Sequence, residues 1–208
     1  GLTVGEYIVR EVVPDGYRQT FPSAGAPRLF ATDPAASGPG QIVEINPATG
    51  TTINTFAAPA GASGVTSGLA FDGSVLYFID SNVDTLYELN PDTGAVLDSM
   101  ALSTTPRWDG IAVLNGLVYL NDPFTDTITV VDPTTNSIVN TINLPPSNFL
   151  PFGGLGELPD ENGGSLIGPI GSSSGVALLD RDTGAPISTF GHAFVSGGSN
   201  FGATSLNG

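Results

Sequence analysis

Short apolar stretches alternate along the chain with clusters of Gly, Pro, Asn, Asp, Ser and Thr. Within many stretches the apolar residues follow the period of two that is typical of a half-buried β-strand, and no segment has the period of a helix. Glycine and proline are abundant, at 28 and 17 of 208 residues, yet 40% of the residues are hydrophobic. Because a disordered chain would contain far fewer large apolar residues, the pattern predicts many short strands joined by tight turns.

A turn motif recurs four times, and its copies begin 42 to 48 residues apart. Asn or Asp opens the motif and bonds its own backbone, Pro presets the next φ in three copies, and Gly or Asn closes it at positive φ. Apolar–polar alternation precedes and follows each copy, so each repeat contains a β-hairpin. The four turns are residues 46–50, 90–94, 132–136 and 180–184.

Two further strands complete each repeat. One strand precedes each hairpin, at residues 29–32, 76–79, 118–121 and 166–169. A strand of small residues occurs at 68–71, 110–113, 154–157 and 202–205. Four strands in a repeat of this length form one blade of a β-propeller. The glycine-rich strand is expected to be innermost, where backbones crowd around the axis.

The order of the strands predicts how the propeller closes. The first repeat begins at Leu29 without an inner strand, and the last segment, 201–207, is an inner strand with no blade after it. If that segment completes the first blade, no open edge remains. The predicted fold is therefore all-β: a four-bladed β-propeller over residues 28–208, closed by the C-terminal strand and preceded by an extended β arm over residues 1–27. A fragment of a larger propeller is the alternative.

The charge restricts the partners. Twenty acidic residues oppose five arginines, no lysine is present, and the net charge is −15. This charge repels phosphate backbones and anionic membrane surfaces, so we expect no nucleic-acid partner. No apolar run approaches the length of about twenty residues that a transmembrane helix needs, so we expect no membrane insertion. Without lysine, self-assembly is expected to be non-covalent or to use the termini. A start at Gly1 is expected of a processed or truncated chain.

Groups that carry catalysis are scarce. The chain has no Cys and no Lys, and its one histidine, His192, lies in a loop-like stretch between strands. A zinc site needs more His or Cys ligands than are present, and a nucleophile needs a neighbouring base. We therefore predict that the protein is not an enzyme and binds no organic cofactor. Trp108 is interpreted as a packed aromatic residue rather than as a ligand contact.

Two acidic pairs are weak calcium candidates. Asp80 with Asp84, and Asp122 with Asp126, occupy matching turns in adjacent repeats. Carboxylate and carbonyl oxygens are suitable calcium ligands. However, no Asp-x-Asp-x-Asp-Gly loop is present, and Asp in a turn usually bonds the local backbone.

The third repeat resembles a known family. Residues 118–122 (Val-Tyr-Leu-Asn-Asp) and 127–136 (Thr-Ile-Thr-Val-Val-Asp-Pro-Thr-Thr-Asn) resemble the YVTN-type β-propeller repeat of bacterial and archaeal surface proteins. The other repeats match more loosely, and the resemblance covers about residues 28–208. It implies an extracellular propeller of a surface layer or adhesive protein. Residues 5–20 are similar to the closing strand and turn of the Sdr-type B repeat, a stalk domain of bacterial surface proteins.

The N-terminal segment provides the functional hypothesis. Its apolar side chains, Tyr7, Val9, Val12 and Val13, lie in a strand-like run without a partner domain. Such a strand tends to pair with a sheet edge, either on its own blade or on a neighbouring copy. A head-to-tail contact that does not close gives a filament or tube. We therefore predict an extracellular structural protein that forms a homo-polymer. The alternative is a monomeric adhesin-like module that binds a glycan or surface protein on the propeller face. A third hypothesis is an enzyme that uses acidic side chains and His192, or a metal at the central axis, and we expect no such turnover.

Overall fold

The computed structural model describes residues 27–33, 40–59, 67–80, 84–102, 108, 110–122, 124–144, 154–158, 164–169 and 175–191. The secondary structure of these residues consists of fifteen β-strands without a helix, and none of them forms a helix that could cross a membrane. The strands are β1 (Leu29–Asp33), β2 (Gln41–Ile45), β3 (Thr52–Ala57), β4 (Ser67–Phe71), β5 (Leu76–Asp80), β6 (Thr85–Leu89), β7 (Val96–Ala101), β8 (Gly110–Leu114), β9 (Leu117–Asp122), β10 (Thr127–Asp132), β11 (Ser137–Asn143), β12 (Gly156–Leu158), β13 (Ser165–Pro169), β14 (Gly175–Leu179) and β15 (Pro186–Gly191).

The strands form four antiparallel sheets, one for each sequence repeat. β1–β3 form a three-stranded sheet, and β4–β7, β8–β11 and β12–β15 form four-stranded sheets in chain order. We number these sheets as blades 1 to 4. The prediction of an all-β, four-bladed propeller is confirmed. The strand predicted at 202–205 to complete blade 1 lies outside the described residues, as does most of the N-terminal arm.

The repeated turns adopt the predicted geometry. The side-chain oxygen of the opening Asn or Asp accepts backbone N–H groups at 2.8–3.2 Å in all four copies. The closing residue has a positive φ in each copy: Gly50 (71°), Gly94 (69°), Asn136 (49°) and Gly184 (69°). The local chemistry of five residues therefore fixes the hairpin that forms the outer half of every blade.

The core lies between neighbouring blades. Three hydrophobic clusters fill the junctions between blades 1 and 2, 2 and 3, and 3 and 4. The inner strands β4, β8 and β12 lie side by side. A Cβ atom on Gly68 of β4 would lie 2.6 Å from Cγ2 of Ile111 in β8. The prediction that a small-residue strand is innermost is thus confirmed for these three blades.

Two equivalent glycines test the packing between blades. Gly94 and Gly50 close the same turn with φ near +70°, but a Cβ on Gly94 would overlap the ring of Phe56, whereas one on Gly50 would meet nothing within 4 Å. We expect Gly50→Ala to lower the free energy of unfolding by about 1 kcal/mol through backbone strain alone. We expect Gly94→Ala to lower it by about 3 kcal/mol, because overpacking is added. Urea denaturation of both variants checks this, and equal losses would contradict it.

Candidate assembly surface

The last strand of each blade, here called the outer strand, is a sheet edge. Among the described strands, β3, β7, β11 and β15 each pair with a neighbour on one side only. An edge strand has a row of N–H and C=O groups without ladder partners, and it is a template for pairing with another strand. The four outer strands are therefore the natural place to look for contacts with other chains.

Each outer strand carries a β-bulge with an exposed aliphatic side chain. Glu88 pairs with Asp98 and Leu89 pairs with Val96, so Leu97 is the extra residue of the bulge. The same register shift occurs in the other three hairpins. The extra residue is the third after the closing residue of the turn. It is more than half exposed in every blade, and the four residues, here called the outer belt, are Ile53, Leu97, Val139 and Ile187.

The sixth residue after the turn faces the next blade. Phe56 is partly buried against the cluster between blades 1 and 2 and lies over Gly94. Ile142 is buried and lies beside Gly184 of blade 4. Phe190 holds the same position in blade 4, yet 54% of its surface is exposed. In the structure described, the outer face of blade 4 is therefore uncovered where the equivalent faces are packed.

Arg28 joins blade 1 to blade 2. Its guanidinium donates two hydrogen bonds to the Glu44 carboxylate, at 2.7 and 2.9 Å, and one to the Pro91 carbonyl at 3.0 Å. It also forms an ion pair with Asp92 at 2.9 Å, and the hydrogen bond to Glu44 raises its pKa. The guanidinium carbon lies 5.0 and 5.7 Å from the centroids of two aromatic rings, Phe30 and Phe71. This arginine therefore has a structural role and is not available to an anionic ligand.

Removing Arg28 should destabilise the propeller. Glu44 is only 7% exposed, so Arg28→Met leaves a buried carboxylate without its cation, and we expect a loss of about 3 kcal/mol in the free energy of unfolding. The double variant Arg28→Met with Glu44→Leu should regain most of this loss, because no buried charge remains. Thermal and urea unfolding of both variants check the expectation. An equal loss in the double variant would show that packing of the arginine stem dominates.

A cluster of carboxylates lies on the outer side of blade 2. Glu88 is directly opposite Asp98 in the sheet. Burial raises the pKa of Glu88, and the negative charges of Asp98 and Asp72 raise it further. The Asn136 amide of blade 3 donates to Asp98 Oδ2 at 3.0 Å, and this hydrogen bond lowers the pKa of Asp98. The Glu88 carboxylate is thus held in an unfavourable environment at neutral pH.

Glu88→Gln should stabilise the protein in a pH-dependent way. Since folding raises the pKa of Glu88 above its ordinary value of 4.5, its protonated form favours the folded state below that value. This advantage is lost as the pH rises through the folded pKa. The neutral amide retains it, so we expect a higher Tm than the parent at pH 7 and little difference near pH 4. Melting curves across this range check the sign, with the exposed Asp33→Asn as a control for loss of one charge.

The calcium candidates lie in equivalent turns of blades 2 and 3. Asp80 and Asp122 end β5 and β9 and are buried, and Asp84 and Asp126 have positive φ values of 44° and 52°. One Asp122 oxygen accepts a backbone N–H at 2.9 Å, and the other accepts the Thr125 hydroxyl at 2.7 Å. No group of three or more His, Cys, Asp or Glu residues that could hold a metal ion occurs in the described part of the chain. Calcium binding stays a prediction.

Sequence reasoning missed two buried carboxylates, Glu44 of blade 1 and Glu157 of blade 4. Glu157 lies on the inner strand β12, and its Oε2 accepts the Val113 N–H of β8 at 3.3 Å, across the junction of blades 3 and 4. The sequence signal for Glu157 was a charged residue within an inner strand whose other residues are small or apolar. Trp108 is 3% exposed and packs in the cluster between blades 2 and 3, as expected. The other predicted positions lie outside the described residues: Tyr7, Val9, Val12, Val13 and His192.

Comparison with known proteins supports the fold. No protein-family profile and no curated protein matches this sequence. The structure is similar to Myxococcus xanthus glutaminyl cyclase, with a TM-score of 0.57 and 15% identity over 79% of this chain and 78% of that one. It is also similar to the WD40 domain of Neurospora crassa Pan2, with a TM-score of 0.52 and 11% identity over 79% of this chain. The match covers 49% of the Pan2 chain. At these identities the likeness concerns the fold alone.

The glutaminyl cyclase corrects one prediction. The expectation that this chain is not an enzyme rests on its lack of Cys, Lys and a second His, and it is wrong as an exclusion. An enzyme has a similar fold, so a propeller of this kind does not exclude catalysis. A single histidine and the absence of cysteine do not exclude catalysis either. Carboxylates perform acid–base chemistry, and this chain contains twenty acidic residues.

Proposed function

We propose that this protein is a structural subunit of an extracellular assembly on a bacterial or archaeal cell, whose copies join non-covalently through the N-terminal strand. The assembly is a filament, tube or layer, since a contact between two different surfaces repeats without closing. The observation that carries the proposal is the outer belt, an exposed aliphatic residue repeated on four sheet edges.

The composition of the outer strands supports a role in pairing. Soluble proteins protect their sheet edges with lysine, inward-pointing charges, proline or β-bulges. Each outer strand here has a bulge and β15 begins with Pro186, but both features precede the last four residues of the strand. This chain has no lysine, and β3, β11 and β15 contain no charged residue although the net charge of the chain is −15. The bulges shorten the regular part of each edge, but four residues beyond each bulge remain in register with the neighbouring strand. An added strand has room to pair along that part.

The N-terminal segment is the strand that the proposal assigns to these edges. Its apolar residues, Tyr7, Val9, Val12 and Val13, suit an outer strand with exposed aliphatic side chains. Residues 1–22 contain three acidic residues and two arginines, so the segment is nearly neutral. It therefore approaches an acidic propeller with little repulsion, and added salt should strengthen the contact between whole subunits by screening their like charges.

Electron microscopy of the purified chain tests the proposal. We expect regular polymers from the full chain and dispersed particles after deletion of residues 1–22. Val9→Pro should weaken assembly while the propeller stays folded, because proline removes a ladder donor. Val9→Thr, which keeps that donor and the β-branched shape, should assemble. Dispersed particles from the full chain would contradict the proposal and favour the monomeric glycan- or protein-binding module.

A further inference from the structure

We propose that the edge of blade 4, strand β15, is the acceptor site for residues 7–13 of a second copy of this chain. The inference rests on the proposed function and names the surface on which the N-terminal strand binds. The proposal thus selects β15 from four outer strands that share the same local sequence pattern.

The other three outer strands are tied to the blade that follows them. Asn54 of β3 donates its amide to the Asp92 carbonyl of blade 2 at 2.9 Å. Asp98 of β7 accepts the Asn136 amide of blade 3 at 3.0 Å. In β11, Ile142 is buried beside the turn of blade 4. In each of these three strands, a side chain that faces the next blade therefore already contacts that blade.

Strand β15 has no such contact among the described residues. Ser188 and Phe190 occupy the fourth and sixth positions after the turn, on the side that faces the next blade elsewhere. Phe190 is 54% exposed, and Ile187 of the outer belt is 55% exposed. The next blade around the axis is blade 1, and a Cβ on its turn residue Gly50 would meet nothing within 4 Å. Two apolar side chains of β15 are therefore exposed among the described residues, and the turn of blade 1 at Gly50 has open space beside it.

The N-terminal segment of a neighbouring copy fits this edge. In an extended strand, Tyr7, Val9 and Val13 would share one side with Glu11. Ile8 and Val12 would share the other side with Arg10. Thirteen residues, 14–26, separate the pairing segment from the described part of the chain, and an extended linker of that length spans roughly 45 Å. This reach is sufficient to connect two subunits.

Pairing between copies follows from the proposed function, in which the N-terminal strand of one subunit binds an edge of the next subunit. Pairing of residues 7–13 with β15 of the same molecule is the competing arrangement, and the cross-linking experiment below distinguishes the two.

Cysteine cross-linking tests the assignment, because the chain has no cysteine of its own. Chains with Val9→Cys are mixed with chains with Thr189→Cys and treated with a short bis-maleimide, which tolerates a shift of register. The matched controls replace the equivalent exposed residues of the other outer strands, Thr55→Cys, Ser99→Cys and Thr141→Cys. We expect a dimeric product with the Thr189 variant at about ten times the yield of any control, because pairing raises the effective concentration.

The outcomes separate this inference from the proposed function. Equal yields at all four edges, or no product while polymers form, would overturn the choice of β15 and leave assembly intact. A product within one chain of the double variant Val9→Cys/Thr189→Cys, without product between chains, would show that the segment packs on its own propeller. Absence of polymers from the unmodified chain would overturn the proposed function itself.

Substitution of an exposed residue tests the assignment a second time, through the critical concentration for assembly and without a change in folding stability. Phe190 packs on no neighbouring blade in the described structure, so Phe190→Ser should leave the Tm unchanged. It should raise the critical concentration for assembly about tenfold through lost apolar contact. Leu97→Ser removes an equally exposed residue from blade 2 and should change the critical concentration little. Equal effects of the two substitutions would assign assembly to the outer belt as a whole.

Discussion

Apolar packing between neighbouring blades is the interaction on which the rest of this structure depends. One four-stranded sheet leaves both of its faces in water, so a blade is stable only when adjacent blades cover it. The three hydrophobic clusters accordingly combine residues of two blades each. The small residues of the inner strands follow from the same constraint, because Gly68 allows β4 to approach Ile111 of β8 closely.

The same packing determines which surfaces remain for other molecules. The faces of the blades pack against neighbouring blades, and the inner strands pack against each other around the axis. The outer strands therefore remain as free edges. The repeated bulge turns one aliphatic side chain of each edge into solvent. A bulge interrupts an edge and re-aims a side chain, and in this protein it presents Ile53, Leu97, Val139 and Ile187. Three of the four outer strands contain no charged residue although the chain is acidic, and the four residues after each bulge remain an edge to which a further strand could pair.

One of the calcium candidates and one arginine form structural contacts in the described residues. Asp122 accepts hydrogen bonds within its own turn, and Arg28 joins blades 1 and 2 through ion pairs. The exclusion of catalysis was the one conclusion that the comparisons overturned, because the fold is compatible with an enzyme. Counting residue types does not reveal buried carboxylates such as Glu157, whose position depends on how two inner strands meet.

The strands, the hairpins and the number of blades follow from the amino-acid sequence alone. These features depend on contacts within a few residues: the opening Asn or Asp accepts N–H groups two or three residues later, and the closing residue needs a positive φ. Tertiary structure decided which apolar residues are core and which are surface. Phe56 and Phe190 occupy the same position in their repeats, yet one is packed and the other is exposed. Burial at that position depends on the next blade, which is distant in the sequence, and no local pattern contains that information.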